Sequence, residues 1–391
     1  MTGNWNGWDL PFFDERHSAL VECLREWQRD YAQREHELES LDLPAQCRRL
    51  LLDLGERDLL HYAVPHMVDT GAPAVDLRAI CLIREALSYR SPLADFAFSM
   101  QGIGCAALWI AGQGAQRREL LDAARRGRHI AAFAISEPDG GSDVAATRTA
   151  ARADGDHWII DGHKAWISNG GIADHYLVVA RTGEEPGARG LSVLLVESGT
   201  PGLRASANVD IMAPHPLAVL SLEQCRVPAS ALVGSLGDGF KLAMATLDIF
   251  RASVGAAAVG LARRAIDETV ARVRGRSLFG QPMSEMDAVR MKVADMVVEL
   301  ESAALIVYRA GWLRDRNGRA TTREASMAKL HATEVAQRVI DAALQLHGAA
   351  GLVVGSVLER LYRDVRPMRI YEGANEIQRL IIGRRVLTAK D

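Results

Sequence analysis

The sequence predicts an α+β chain in three parts, with helices at both ends and a small β domain between them. Three observations predict it. Apolar residues recur at three- and four-residue steps from about residue 15 to 128. Short apolar or alternating runs, separated by turn dipeptides, fill residues 129–235. The helical period then returns from 236 to the end at 391. The expected parts are an N-terminal α-helical domain (1–128), a middle β domain (129–235) and a C-terminal α-helical bundle domain (236–391). A chain of 391 residues is in any case too long for one ordinary core.

In the first part, Leu20, Cys23, Leu24 and Trp27 give one helix an apolar face. Ser91-Pro92 reads as a helix start, because Ser caps and Pro is favoured in the first turn. The helix that follows, through Phe96, Phe98, Met100 and Ile103 to Trp109, is apolar over most of its surface and is expected to be buried. In the middle part, His129–Ile135, His157–Ile160, Tyr176–Ala180, Leu191–Val196 and Val219–Leu222 read as strands. The turns between them are Asp154-Gly155, Asp161-Gly162, Asn169-Gly170-Gly171 and Pro201-Gly202, which suggests a small barrel or sandwich. In the last part, Val254, Ala258, Leu261 and Ala265 share a helix face, and Gly255 and Gly260 let another helix approach closely. Thr321 with Glu324 fits a capping box ahead of a long helix. Three or four long helices with short joints imply an antiparallel bundle.

Composition narrows the function. The chain is 48% hydrophobic and 24% charged, with 46 basic against 49 acidic residues and a net charge of −3. That balance offers no basic surface for nucleic acid. No stretch is expected to span a membrane, and Met1 to Asp14 lack the basic-then-apolar pattern of a signal peptide. The five cysteines are odd in number and show no CxxC spacing, so reduced, mostly buried thiols and a cytoplasmic location are expected.

The chemistry gathers in three stretches. In Tyr371-Glu372-Gly373-Ala374 a carboxylate sits between an aromatic ring and a glycine. An acid that takes a proton from carbon needs a dry, shaped site; the ring excludes water and the glycine lets a ligand approach the backbone. A solvated surface acid is the plainer reading of the tetrapeptide alone. The loop Ser136-Glu137-Pro138-Asp139-Gly140-Gly141-Ser142-Asp143 leaves a strand and exposes backbone N–H groups that suit a phosphate or a cofactor rim. It also reads as an ordinary turn. Trp166-Ile167-Ser168 places an indole and a hydroxyl two residues apart, suited to a flat cofactor, although Trp166 also reads as a core residue. The eleven histidines make no HxxxH or HExxH spacing, and no GxSxG elbow or Rossmann GxGxxG is present.

These motifs, with Arg276-Ser277-Leu278-Phe279-Gly280 and Gln345-Leu346-His347-Gly348 in the same α–β–α order, resemble the acyl-CoA dehydrogenases from about residue 15 to 388. The resemblance implies a middle β-barrel, a C-terminal four-helix bundle, bound FAD and a homotetramer built as a dimer of dimers. It further implies an acyl-CoA substrate and an electron-transferring flavoprotein as acceptor. It assigns the flavin ring and phosphates to Phe133, Ile135, Ser136, Gly141, Ser142, Trp166, Ile167 and Ser168, with Ser168 near flavin N5. Arg276, Phe279, Gln345 and Gly348 are implied to bind the adenine half of an FAD, partly across a subunit boundary, and Ala374 and Glu376 also fall among the cofactor positions. Asp248, Arg251, Tyr371, Gly373 and Ser142 match substrate contacts, and Glu372 matches the base that takes the α-proton while the β-hydrogen leaves as hydride. The family supplies the thioester oxygen with donors from a flavin ribityl hydroxyl and the backbone N–H of the base.

One branch of that family places its base immediately before the arginine matched by Arg251. Phe250 stands there and cannot accept a proton, which supports Glu372. Four departures loosen details of the match: Ala374 replaces a frequent Thr, Ala349 a Gly, Asp287 a Gln, and Met212-Ala213-Pro214-His215-Pro216-Leu217 replaces a Gly-x-Arg run. The last is expected to border the substrate mouth and points to an unusual acyl group or carrier. Competing readings are an oxygen-using oxidase or monooxygenase on the same fold, a dehydrogenase of a carrier-protein thioester, and a non-enzymatic or nucleic-acid-associated relative, which the charge disfavours.

Overall fold

The computed structural model describes residues 10–68, 73–112, 115–183, 185–318 and 321–388. Most of the N-terminal stretch read as free of a signal peptide, residues 1–9, lies outside them. The element order is α1 (Glu15–Glu39), α2 (Leu43–Glu56), α3 (Leu77–Arg90), α4 (Pro92–Ala111) and α5 (Ala115–Arg125). There follow β1 (Ala131–Ala134), β2 (Ala150–Asp154), β3 (His157–Ser168), β4 (His175–Arg181), β5 (Leu191–Glu197), β6 (Leu203–Ala205), β7 (Leu217–Pro228) and β8 (Leu232–Val233). The chain closes with α6 (Gly239–Gly275), the small hairpin β9 (Ser277–Leu278) and β10 (Gln281–Pro282), then α7 (Asp287–Asn317), α8 (Thr322–His347), α9 (Val357–Val365) and α10 (Asn375–Leu387). The helical ends and the central sheet make the expected mixed α+β fold.

By contacts the chain divides into two compact units that interleave in sequence. One comprises residues 1–35, 76–95 and 251–391, the other residues 36–75 and 96–250.

The second unit holds the sheet, in the order β6-β7-β3-β2-β4-β5-β8, with β1 added beside β4 in parallel. The five anticipated strands are present and β2, β6 and β8 are additional. β3 is bulged twice against β7, between Ile160 and Gly162 and between Lys164 and Ile167. The N-terminal edge of β1 is fixed by buried Gln101 on α4, whose side chain donates to the carbonyls of Ala124 and His129 and accepts from the Ala131 N–H at 3.1 Å.

In the first unit, α8 packs on α7, α9 and α10, and α7 packs on α3. α6 enters this packing through its glycines. A Cβ on Gly260 would sit 2.2 Å from the Glu85 carbonyl and from Ser88 Oγ, and one on Gly255 2.7 Å from Val307. The face Val254, Ala258, Leu261 and Ala265 is fully buried, as its spacing predicts.

Ser91 caps α4, its Oγ accepting from the Ala94 N–H at 3.2 Å. The capping box at α8 is a correction: the helix starts after Thr321, but the Thr321 side chain makes no cap bond. Glu324 pairs instead with the neighbouring Arg323 guanidinium, which outcompetes a neutral N–H for the carboxylate. A second correction concerns apolar length. Pro92–Ala111 and Gly239–Gly275 each reach the length and mean hydropathy of a membrane span, and 78% of the most apolar window of each is buried within the protein. Cys47, Cys81, Cys105 and Cys225 are buried, Cys23 is half-buried, and none of the five is in a disulfide.

Candidate active site

Glu372 lies in the short link between the 3₁₀ turn Arg366–Arg369 and α10. Its backbone is left-handed (φ 52°) and so is that of Gly373 (φ 88°). A non-glycine residue there is strained, so the surrounding structure must hold it. Two donors do so. Lys329 Nζ and Gln378 Nε2 both bond the Gly373 carbonyl, at 3.0 and 2.8 Å. Lys329 also bonds Asn375 Oδ1 at 2.8 Å, and the Asn375 amide in turn donates to Thr333 and Glu334. Gly373 has no room for a side chain, since a Cβ would lie 2.6 Å from Gln378 Nε2.

The Glu372 side chain is only 7% exposed, and neither carboxylate oxygen has a hydrogen-bond partner among the described residues. Burial raises its pKa above the ordinary carboxylate value; the charges of Arg84, Lys329 and Arg251 oppose that rise, and Asp95 adds to it. Arg84 comes nearest among its ion-pair partners, Nη1 at 4.0 Å from Glu372 Oε1. Burial also pushes the Tyr371 phenol up, so it stays neutral, and it brings Lys329 down to about 8. A buried carboxylate without donors, kept among cations that do not bond it, has the lone pairs and the basicity to take a proton from carbon.

The stretches assigned to the flavin lie in the other unit, and they are brought together there. Phe133 is half-buried on β1, and Ile135 and Ser136 follow it. The Ser136 carbonyl accepts from the Ala165 N–H at 3.0 Å, and the Ile135 carbonyl from Lys164 Nζ at 3.1 Å. These bonds set the loop beside the second bulge of β3. The bulge turns Trp166 outward (φ 58°, 60% exposed) while Ile167 stays buried and Ser168 half-buried. Gly141 and Ser142 are exposed, and a Cβ on Gly141 would meet nothing within 4 Å.

Glu137 anchors this loop from inside. It accepts from the Arg148 and Thr149 N–H groups and from Lys164 Nζ at 2.8, 2.9 and 2.9 Å. Burial opposes its charge, but those hydrogen bonds outweigh it and hold the pKa at about 2. An outward indole on a bulge, beside an open glycine loop pinned by a buried ion pair, fits a flat phosphate-bearing cofactor.

The residues that the resemblance assigns to the adenine half gather near the C-terminus of α8 in the first unit. Phe279 and Gly280 are both left-handed and form the two-residue turn of the β9–β10 hairpin, which leaves Phe279 94% exposed. Leu278 and Leu346 join one apolar cluster around Val273, Met283 and Val289, so the hairpin rests near the C-terminus of α8. Gln345 and Gly348 are exposed there. Arg276 lines a cleft of ≈ 480 Å³ with Arg272, Glu268, His347 and Ser356. Arg272 Nε in that cleft is buried with no partner, an orphan donor suited to an anion.

Other positions are placed without being drawn into a site. Asp248 and Arg251 lie one turn apart on α6, Asp248 half-buried and Arg251 buried. Ala374 is the N-cap of α10 and makes no side-chain bond, and Glu376 is exposed and pairs with Arg379 at 3.6 Å. Phe250 is fully buried, its ring filling the space beside Gly102, where a Cβ would lie 2.5 Å from Phe250 Cζ. In the Met212–Leu217 segment, the His215 ring lies against Phe96 with centroids 4.2 Å apart, and burial lowers its pKa to about 4.

Sequence reasoning missed Arg84, Asp95, Lys329, Asn375 and Gln378 around Glu372, and the role of Glu137 with Lys164 under the loop. A signal existed for Asp95, the one charge in the apolar run of α4, Leu93-Ala94-Asp95-Phe96; Arg84 has Glu85 beside it and Arg78 and Arg90 in the same helix, so it does not stand out.

Comparison with known proteins identifies relatives of the chain. The profile "Acyl-CoA dehydrogenase, middle domain" matches residues 132–225, and "Acyl-CoA dehydrogenase, C-terminal domain" matches residues 237–387. A Bacillus subtilis protein named as a probable acyl-CoA dehydrogenase is 35% identical over 94% of this chain and 97% of its own length. The mitochondrial short-chain specific acyl-CoA dehydrogenase of Mus musculus is 35% identical over 94% of this chain and 90% of its own. The solved structure of a glutaryl-CoA dehydrogenase from Mycobacterium smegmatis, in complex with FADH2, superposes with a TM-score of 0.85 at 28% identity, covering 97% of this chain and 96% of that one.

Proposed function

The chain belongs to the acyl-CoA dehydrogenase family of oxidoreductases, and on that premise we propose that it oxidises an acyl-CoA thioester to the trans-2-enoyl thioester with Glu372 as the base. The observation that carries this reading is the buried Glu372 carboxylate, both of whose oxygens lack a partner. FAD, when bound, supplies the acceptor for the β-hydride.

The residues of the chain do the rest. Glu372 takes the α-proton at a carboxylate oxygen. Its backbone N–H is proposed to donate to the thioester oxygen as charge develops there. Lys329 and Gln378 hold the Gly373 carbonyl and so fix the left-handed turn that aims the carboxylate. The neutral Tyr371 ring shields the base from water. Phe133, Ile135, Ser136, Gly141, Ser142 and Trp166–Ser168 are proposed to hold the flavin. Arg276, with Phe279, Gln345 and Gly348, is proposed for the adenine half, and Ala374 and Glu376 stand at cofactor positions. Asp248, Arg251, Ser142, Tyr371 and Gly373 are proposed substrate contacts.

We further read the acyl group as short. The Phe250 ring is buried against Gly102 and is proposed to add bulk to the wall of the acyl site, and relatives at 35–41% identity are named short-chain specific. The homotetramer, the cytoplasmic location, an electron-transferring flavoprotein as acceptor and the division into 1–128, 129–235 and 236–391 belong to the same proposal.

Anaerobic titration of the flavin-loaded enzyme with acyl-CoAs of increasing length tests it. Bleaching of the flavin absorbance is expected with short acyl groups, and Phe250→Ala is expected to extend it to longer ones. A panel that leaves the flavin oxidised sinks the dehydrogenase reading. An unchanged length profile in Phe250→Ala sinks the short-chain reading.

A further inference from the structure

Arg84 is fully buried on α3 and has an unusual set of commitments. Its Nε and Nη2 bond the two carboxylate oxygens of buried Asp95 at 2.7 and 3.0 Å, and its Nη1 bonds Ser253 Oγ at 3.0 Å. The guanidinium is planar and rigid, so these three bonds fix where it lies. Nη1, the nitrogen bonded to Ser253, stops 4.0 Å from Glu372 Oε1, too far for a hydrogen bond and close enough for a strong field.

From this arrangement we infer that Arg84, held back by Asp95 and Ser253, is a positioning residue that sets the charge state of Glu372 without binding it. The inference deepens the assignment of Glu372 as the base and rests on it.

The physical argument has two sides. A buried Glu372 with no cation nearby would stay protonated and could not accept a proton. With Arg84 bonded directly to it, the carboxylate would be a satisfied ion pair and a poor base. The observed geometry lies between these. Asp95 neutralises part of the Arg84 charge and occupies the fork that would otherwise clasp Glu372. Ser253 accepts one of the two Nη1 N–H groups, so the nitrogen that comes nearest to Glu372 is itself partly committed. The other cations among the main groups acting on Glu372 are Lys329, which is spent on Gly373 and Asn375, and Arg251. Asp95 is the one acid among the main groups acting on Glu372, and the Tyr371 phenol stays neutral.

The two members of the pair therefore act in opposite directions. Arg84 lowers the Glu372 pKa, so Arg84→Met should move the protonation midpoint up, by about 1–3 pH units for a cation at this distance. Asp95 raises it, so Asp95→Asn should move the midpoint down. Arg84→Lys keeps the charge and should stay nearer to the wild type than Arg84→Met does. Either single neutralisation leaves a buried charge uncompensated and can impair folding. The double variant Arg84→Met/Asp95→Leu removes both charges and is expected to fold, with a midpoint shifted up by less than that of Arg84→Met.

The test is an infrared difference titration of the flavin-loaded enzyme. The Glu372 carboxyl band is assigned by its loss in Glu372→Gln, so the readout needs no substrate. Opposite shifts for Arg84→Met and Asp95→Asn, with the double variant as stated, support the inference. Shifts of the same sign, no shift, or a double variant that moves down overturn it. The pH limb of flavin bleaching by an acyl-CoA, measured separately, reports on the base assignment. A midpoint that obeys the expected order while no acyl-CoA bleaches the flavin would fault the dehydrogenase reading and leave the Arg84 inference standing.

Discussion

Glu137 and Glu372 are both buried glutamates in loops, with side chains 10% and 7% exposed, yet the chain treats them in opposite ways. Glu137 receives two backbone N–H groups and the Lys164 ammonium, and its pKa falls to about 2. Glu372 receives no hydrogen bond, and its pKa rises. The difference teaches that burial alone does not make a base. Burial with donors makes a structural anchor that stays ionised. Burial without donors, beside cations held at a distance, makes a group that gains by taking a proton. The first suits the loop that is to carry a cofactor, and the second suits the loop that is to do chemistry.

The sharpest way to break this contrast is to turn the first glutamate into the second. Lys164→Met strips Glu137 of its cation and leaves a buried charge, which should cost about 3–5 kcal/mol of stability at neutral pH. Chemical denaturation measures it. FAD affinity should fall with it, because Lys164 also holds the Ile135 carbonyl. The loss should shrink in acid. Glu137 has a depressed folded pKa, so its contribution is present above the ordinary value of 4.5 and fades as pH falls toward about 2. A Lys164→Met protein as stable as wild type at pH 7 would mean that the pair anchors nothing.

A smaller effect sharpens the other side. The Glu372 loop enters α10 through Ala374, which cannot cap it. Ala374→Thr supplies an oxygen for the first-turn N–H groups and should raise stability by about 1 kcal/mol, read as a higher denaturation midpoint. No gain would show that the turn geometry at φ −49°, ψ 152° does not present the side chain to the helix.

Much of the fold was legible because its signals are local. β1, β4, β5 and β7 are dense in apolar residues, and turn dipeptides bound several of the strands. β2, Ala150-Ala151-Arg152-Ala153-Asp154, was not, because nothing in that run favours a strand; it forms since it is paired with β3 along its length and reaches β4 at Ala150. The Thr321–Glu324 box failed for the converse reason: a good local motif lost its acid to Arg323.

The site divides in the same way. Tyr371-Glu372-Gly373, Trp166-Ile167-Ser168 and the Ser136 loop are contiguous motifs, and resemblance picks them out. Arg84 is not legible from its own helix, which also carries Arg78, Glu85 and Arg90, and its partners Asp95 and Ser253 are 11 and 169 residues away. Lys329 meets the base loop across 44 residues. Such supports are set by packing between helices, and single-sequence periodicity carries no record of which helices meet.

The central claim is that Glu372 is the base. It is tested most directly by rapid mixing of flavin-loaded enzyme with an acyl-CoA that bleaches the wild type, compared with Glu372→Gln. The account predicts that the variant still binds the thioester, seen as a shift of the flavin spectrum, while its bleaching slows by roughly 10³-fold, within the range for loss of a general base. Bleaching at a rate similar to wild type would contradict it.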